Sequence, residues 1–416
     1  MKRTIVILLL AVCLLLGGVV GYMSYRGSAQ PDSPAEQPVS DTPAPDAAPE
    51  AELSAGAPTP LDMDELNYET LDIKRLYLTH DPKESVLTVR GRAENWGDYF
   101  YYLSAQVDYV EKLLVQYYAN FGAELLWSDV ADTDGTTFAE LAVKETEKVM
   151  RQLAAIEGFA EENGVELTEE DRQAMAQQAA SDMTSSCGEG ASEADFEAYL
   201  AERYTSRELY DRISAAGFLY RDCFRLLYGE TGDVIDDEAV LRYLEDNSYI
   251  SVNHILLTTV DLATGEKLDE AVITEKAAIA QRLAEELQAI EDPVELQKRF
   301  VQLKEEYCED AGKALYAAGY TFTPHTMAAS FESACKALEP YEVSDPVQSN
   351  YGYHIIIKLP PDANALLFNS KGEPVTARTA AAKTEFEERL QAYADTLEIV
   401  YAEGFEKPNL LEYIKG

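Results

Sequence analysis

Two histidines of this chain sit inside short apolar runs, where histidine is uncommon. His254 lies in Ile250-Ser-Val-Asn-His254-Ile-Leu-Leu257 and His354 in Gly352-Tyr-His354-Ile-Ile-Ile-Lys-Leu359, two of 4 histidines in all, with His80 and His325. A buried imidazole needs a hydrogen-bond partner, so either one alone reads as a core residue donating to a neighbour. The text between them changes that reading. Met327 and Phe331 are four apart, the spacing that puts two side chains on one helical face, and Phe322 precedes them. A pair of imidazoles with Met327 and Phe331 as one apolar wall and Phe322 as a second is an arrangement that can hold a small apolar group against a polar floor.

The elements that must position these residues follow from periodicity. Both histidine runs are rich in Ile, Leu and Val, too short for helices and bounded by turn-prone residues, so each predicts a buried strand. Between them Ile273, Ala277, Ala280, Leu283 and Leu287 recur at helical spacing, as do Leu296, Phe300, Leu303 and Tyr307. A shorter helix is expected to hold Met327, Phe331, Ala334 and Leu338. The order is strand, helices, short helix, strand.

Further motifs lie in the same stretch: Tyr307-Cys308-Glu309-Asp310, then Met327-Ala-Ala-Ser-Phe331-Glu332, then Glu342-Val-Ser344-Asp-Pro346-Val347 leading into Gly352-Tyr-His354. Together with the His-Ile-Leu strand they resemble the parvulin (PpiC or rotamase) family of peptidyl-prolyl isomerases over residues 249–359. The resemblance implies that His254, His354 and Asp310 line a catalytic floor, that Met327, Phe331 and Phe322 hold the proline ring of a substrate, and that Ser349 bonds to the histidine pair. It implies no cofactor and no metal. Rotation about an Xaa-Pro bond faces a barrier of roughly 18 to 20 kcal/mol because the amide loses conjugation. An apolar slot that excludes water and complements the twisted amide suffices to lower it.

Three departures from the family pattern stand out. The usual Gly-Gly-Asp-Leu-Gly segment is replaced by Tyr316-Ala-Ala-Gly-Tyr320, the serine two before the acid is Cys308, and the glycine before Glu342 is Tyr341. Cys308 reads as a small buried residue rather than a nucleophile. The loop Thr258-Thr-Val-Asp-Leu-Ala-Thr-Gly-Glu-Lys267 lacks the basic cluster that phosphate recognition needs, which argues against a phosphoserine-proline preference.

The 416 residues allow two or three domains, and Lys plus Arg 34 against Asp plus Glu 75 gives a net charge of -41. Such a chain repels nucleic acid and favours basic or apolar partners. Lys2 and Arg3 precede an uncharged run from Thr4 to Met23, long enough at about 1.5 Å per residue for the roughly 30 Å core of a bilayer. Residues 1–26 therefore predict a membrane anchor with the bulk of the chain extracytoplasmic, or a cleaved signal with Gly27-Ser-Ala29 as its site. Residues 27–66, rich in Pro, Ala and acidic residues, predict a disordered linker.

Beyond it, residues 67–248 predict a mainly helical domain, 249–360 the parvulin domain, and 361–416 a helix and strand that return to the helical part. Ile73 to Thr79 and Ser85 to Val89 read as short strands. Phe100, Leu103, Val107, Val110 and Leu114 open an aromatic-rich run of helices; Thr168 and Ser192 are cap candidates, and Asp236 or Asp237 begins a further short helix. No metal cluster, phosphate loop or nucleophile constellation is legible there, and with 5 cysteines free thiols are expected over a Cys187–Cys223 pair. The whole reading is an α+β chain, a parvulin domain with a small mixed β-sheet and flanking helices inserted in a helical chaperone domain behind an N-terminal transmembrane helix. This arrangement resembles exported foldases of the PrsA and SurA type and implies unfolded exported polypeptides with Xaa-Pro bonds as partners. The alternatives are a holdase chaperone or cell-envelope scaffold with a vestigial parvulin domain.

Overall fold

The computed structural model describes residues 69–121, 124–368 and 374–415; the expected anchor and linker lie outside them. Among the described residues no helix is long and apolar enough to cross a membrane. The chain divides into two compact units, one of residues 69–227 with 386–415 and one of residues 228–385.

The first unit opens with α1 (Ile73–Tyr77), β1 (Ser85–Val89) and β2 (Arg92–Asn95), followed by α2 (Trp96–Phe121), α3 (Phe138–Glu162), α4 (Glu169–Cys187), α5 (Glu193–Ala201) and α6 (Arg207–Tyr228). The expected strand at Ile73–Thr79 is a helix. Asp72 caps it by accepting from the Arg75 N–H at 3.0 Å, and Leu76 is its one buried residue, so the segment has neither the alternation nor the double-sided burial of a strand. Thr168 and Ser192 each close a capping box at the start of α4 and α5.

The second unit continues with α7 (Asp237–Asp246), capped by Asp236, then β3 (Ile250–Thr258), α8 (Glu270–Gln288), α9 (Pro293–Tyr307), β4 (Tyr320–Phe322), α10 (Ala329–Ala337), β5 (Val347–Gln348), β6 (Gly352–Lys358), β7 (Leu366–Leu367) and β8 (Val375–Thr376). α11 (Ala377–Asp395) and β9 (Ile399–Tyr401) follow, and then a 3-10 turn, Leu410–Tyr413. From Phe386 onward they belong to the first unit. Phe386 of α11 packs there against Phe159, Tyr220 and Phe224 at ring distances of 6.0, 4.9 and 5.8 Å, and β9 pairs antiparallel with β1.

The sheet of the second unit runs β5-β6-β3-β4-β7-β8. All nine residues of β3 are buried, as expected of a central strand covered on both faces. Alternation sorts its side chains. Ile255 and Leu257 pack with Leu283, Leu287, Phe300 and Leu303 of α8 and α9, while Ile250 and Val252 pack with Phe322, Met327, Phe331 and Cys335. His254 shares the parity of Ile250 and Val252. It therefore sits on the α10 side.

β4 is a strand that the sequence signals did not reveal, three residues long with Thr321 at its centre. Met327 also differs from expectation. It lies in the turn before α10 rather than on it, because His325 takes a left-handed φ of 67° and its N–H donates to Glu332 Oε2 at 2.8 Å, which holds the turn against the helix. Met327 and Phe331 still meet in one cluster, each 2% exposed.

Gly352 opens β6 because only hydrogen fits: a Cβ there would lie 2.1 Å from the Leu257 carbonyl oxygen. Gly352→Ala is expected to destabilise by about 2 kcal/mol or more through forced separation of β3 and β6. Urea unfolding checks this, and a change within roughly 0.5 kcal/mol of the parent would show that the strand pair tolerates the methyl.

Candidate functional site

The site is built by strand register. His254 pairs with Ile356 and Leu256 with His354 across the antiparallel β3–β6 ladder, which makes the two histidines diagonal neighbours on one face. Their rings stack at 5.3 Å and 21°, with Nδ1 to Nδ1 at 3.2 Å. His254 Nε2 lies 3.1 Å from Asp310 Oδ2. Asp310 stands between the end of α9 and a 3-10 turn, Ala311–Lys313, which it caps by accepting from Gly312 N–H at Oδ1, 3.0 Å. On the far side Ser349 Oγ is 2.8 Å from His354 Nε2 and accepts from Tyr351 N–H at 3.1 Å.

These contacts define the hydrogens. A carboxylate only accepts, so His254 donates from Nε2 to Asp310. The Nδ1–Nδ1 contact holds one proton, and with His254 neutral that proton comes from His354. The Ser349 hydroxyl then donates to His354 Nε2. The result is one directed chain from Ser349 through both imidazoles to Asp310, assigned from the bonds.

Electrostatics agree with it. Burial holds His254 below its ordinary 6.5, and the bond to Asp310 only partly offsets this. Burial alone would raise Asp310, but the bond and the charge interaction with His254, followed by the bonds from Tyr320 and Gly312, outweigh it and bring the carboxyl to about 2. Cys308, 4% exposed, has its thiol pushed up by burial, which leaves it unsuited to nucleophilic work. Among the described residues Cys187, Cys223 and Cys308 are free thiols.

Phe331 presents its ring edge-on to His254 at 5.3 Å and to His354 at 5.1 Å, and Phe322 lies 6.2 Å behind it. The structure thus brings together His254, His354, Asp310, Ser349, Met327, Phe331 and Phe322. None of these except the half-buried Ser349 is more than 4% exposed.

Two neighbours escaped sequence reasoning. Tyr320 donates its hydroxyl to Asp310 Oδ2 at 2.6 Å. Buried Lys304 donates to Asn253 Oδ1 at 2.8 Å and to the Tyr316 carbonyl at 2.9 Å, while Asn253 Oδ1 also accepts from His254 N–H. The signal for both was the departure at Tyr316–Tyr320, whose backbone Lys304 ties to β3.

Residues 254–359 match the Rotamase family, a PPIC-type PPIASE domain; this part of the chain is a parvulin-type domain. The chain is similar to the foldase protein PrsA of Oceanobacillus iheyensis, 27% identical over 222 residues, which are 53% of this chain and 61% of that protein. It is also similar to the chaperone SurA of Chromohalobacter salexigens, 45% identical over 58 residues, 14% of this chain and 13% of that protein. The matches span about three fifths of the first relative's length and about an eighth of the second's. The crystal structure of PrsA from Bacillus subtilis aligns with 65% of this chain and 91% of that one at 17% identity, with a TM-score of 0.23, too low to bear on the arrangement.

The site has a pH signature. The unfolded chain takes up a proton on His254 near pH 6.5, whereas the fold refuses it until lower pH. The unfolded state thus binds more protons in that window, and stability falls as pH drops through it. Asp310 adds a further loss between its ordinary 3.8 and about 2. Denaturant unfolding between pH 7.5 and 5 is expected to show a smaller loss of stability on acidification in His254→Gln than in the parent. Equal slopes in the two proteins would remove His254 from the account.

Proposed function

We propose that this chain is an extracytoplasmic peptidyl-prolyl cis-trans isomerase and chaperone that assists the folding of exported polypeptides, tethered to the membrane by residues 1–26. The observation that carries the reading is the hydrogen-bonded floor of His254, His354 and Asp310 facing Phe331, Met327 and Phe322 within a rotamase domain.

The chemistry follows from the amide. In the planar form conjugation places partial negative charge on the carbonyl oxygen; in the twisted form that charge recedes and the nitrogen regains its lone pair. A fixed carboxylate near the carbonyl repels the planar form more than the twisted one, so Asp310 lowers the barrier without exchanging a proton. Phe331, Met327 and Phe322 grip the proline ring and exclude water, which strengthens that effect. The two imidazoles hold Asp310 in place from behind. With a net charge of -41, basic and apolar clients are favoured over acidic ones.

One observation favours a second reading, a holdase whose rotamase domain does not turn over: the slot residues are at most 4% exposed, so a proline ring enters only as the walls move apart. Exchange rates of short Xaa-Pro peptides, measured by NMR with the soluble part from Gly27 onward, separate the two. The isomerase reading expects acceleration that falls by roughly tenfold or more in kcat/KM, the effect of about 1.4 kcal/mol, in His254→Ala and in Met327→Ala, with both variants folded by circular dichroism. Absence of acceleration across a varied peptide set, alongside suppressed aggregation of an unfolded client, would leave the holdase in front.

A further inference from the structure

The segment that departs most from the family pattern places a phenol inside the site. Tyr320 is 1% exposed, stacks on Tyr316 at 4.4 Å and 27°, and meets the edge of Phe368 at 5.7 Å. Its ring is thereby fixed, and its hydroxyl reaches Asp310 Oδ2 at 2.6 Å, the same oxygen that lies 3.1 Å from His254 Nε2. Gly312 makes the room. A Cβ at that position would lie 2.1 Å from the Tyr320 hydroxyl.

We propose that Tyr320 is a positioning residue of this site, whose buried hydroxyl holds Asp310 as a carboxylate in one orientation against His254. The role rests on the isomerase reading for its consequence in catalysis, but not for its geometry. Asp310 faces His254 from β3, with His354 behind it, Tyr320 from β4, Lys304 and Cys308 from the end of α9, and Lys313 from the adjoining turn. Lys313 bonds to the Cys308 carbonyl at 2.9 Å, and Lys304 bonds to Asn253 and the Tyr316 backbone. Neither lysine ammonium makes a hydrogen bond to the Asp310 carboxylate among those described; Lys313 bonds to Asp310 only from its backbone N–H to the carbonyl oxygen. The carboxylate is therefore held by Tyr320, His254 and Gly312, and Tyr320 makes the shortest of the three bonds. Burial and the Asp310 charge both raise the phenol out of the titratable range, so it donates at every working pH.

The test is a carboxyl titration followed by carbon NMR on the full chain labelled in aspartate side chains, with Asp310→Asn assigning the signal. In the parent the Asp310 midpoint is expected well below the ordinary carboxylate value, and in Tyr320→Phe it is expected about 1 to 2 pH units higher, as loss of one charged hydrogen bond implies. A parent midpoint in the ordinary range, or one unmoved in Tyr320→Phe, overturns the proposal. If Tyr320→Phe fails to fold, Gly312→Ala, which drives the hydroxyl away while keeping the phenol, must give the same upward shift. Peptide exchange is read in parallel, with a severalfold fall in kcat at little change in KM and an acid limb that follows the carboxyl midpoint. Should the parent show no exchange activity while the midpoint still shifts, the isomerase reading fails and the positioning stands.

Discussion

The interaction on which the second unit's site depends is the burial of one ionised carboxylate among aromatic rings. An isolated carboxylate in such a place would carry a penalty of several kcal/mol, or would take a proton. Asp310 keeps its charge because a phenol, an imidazole and a backbone N–H converge on it. Each donor in turn dictates something else. The imidazole must present Nε2–H, which leaves its Nδ1 to accept from His354. The backbone donor requires the tight 3-10 turn after Asp310, and the phenol requires that residue 312 have no side chain.

The same constraint explains why the site is made by the two central strands rather than by loops. A two-residue diagonal across β3 and β6 sets the imidazoles face to face; a slip of one residue would turn one ring into the cluster beneath α8 and α9. Gly352 protects that register, since it lets the strands approach at the point where β6 begins. Lys304 works at longer range. By bonding Asn253 and the Tyr316 carbonyl together, it ties the residue just before His254 to the start of the segment that delivers Tyr320.

Local signals in the chain carried far in some places and not in others. β3 and β6 were legible because their composition is extreme, and α8, α9 and the helices capped by Thr168, Ser192 and Asp236 because apolar period and cap residue agree. At α1 the apolar content suggested a strand, while the Asp72 cap and the three-residue step from Ile73 to Leu76 decided for a helix. β4 is too short to show a period. Met327 was placed on α10 by spacing alone, whereas the left-handed His325 and its bond to Glu332 make the helix begin two residues later, at Ala329. The residues that the fold brings together around Asp310 could be named from motif spacing and the family resemblance. The chain of hydrogen bonds joining them could not, because it depends on register and on a tyrosine in a segment that matches no pattern.

The satisfied network also bears on how the site can work. Asp310 Oδ2 takes two donors and Oδ1 one, so on the isomerase reading the carboxylate would have little need of a substrate N–H and would act on a nearby amide chiefly through its charge. That charge is strongest where water is absent, which is the condition that Phe331, Met327 and Phe322 impose while closed. A proline ring entering between them displaces apolar contacts but no hydrogen bonds of the floor, so opening strains packing rather than the polar network. The walls are then the adjustable part of the site, and the Ser349-to-Asp310 chain is the rigid part against which an amide would be turned.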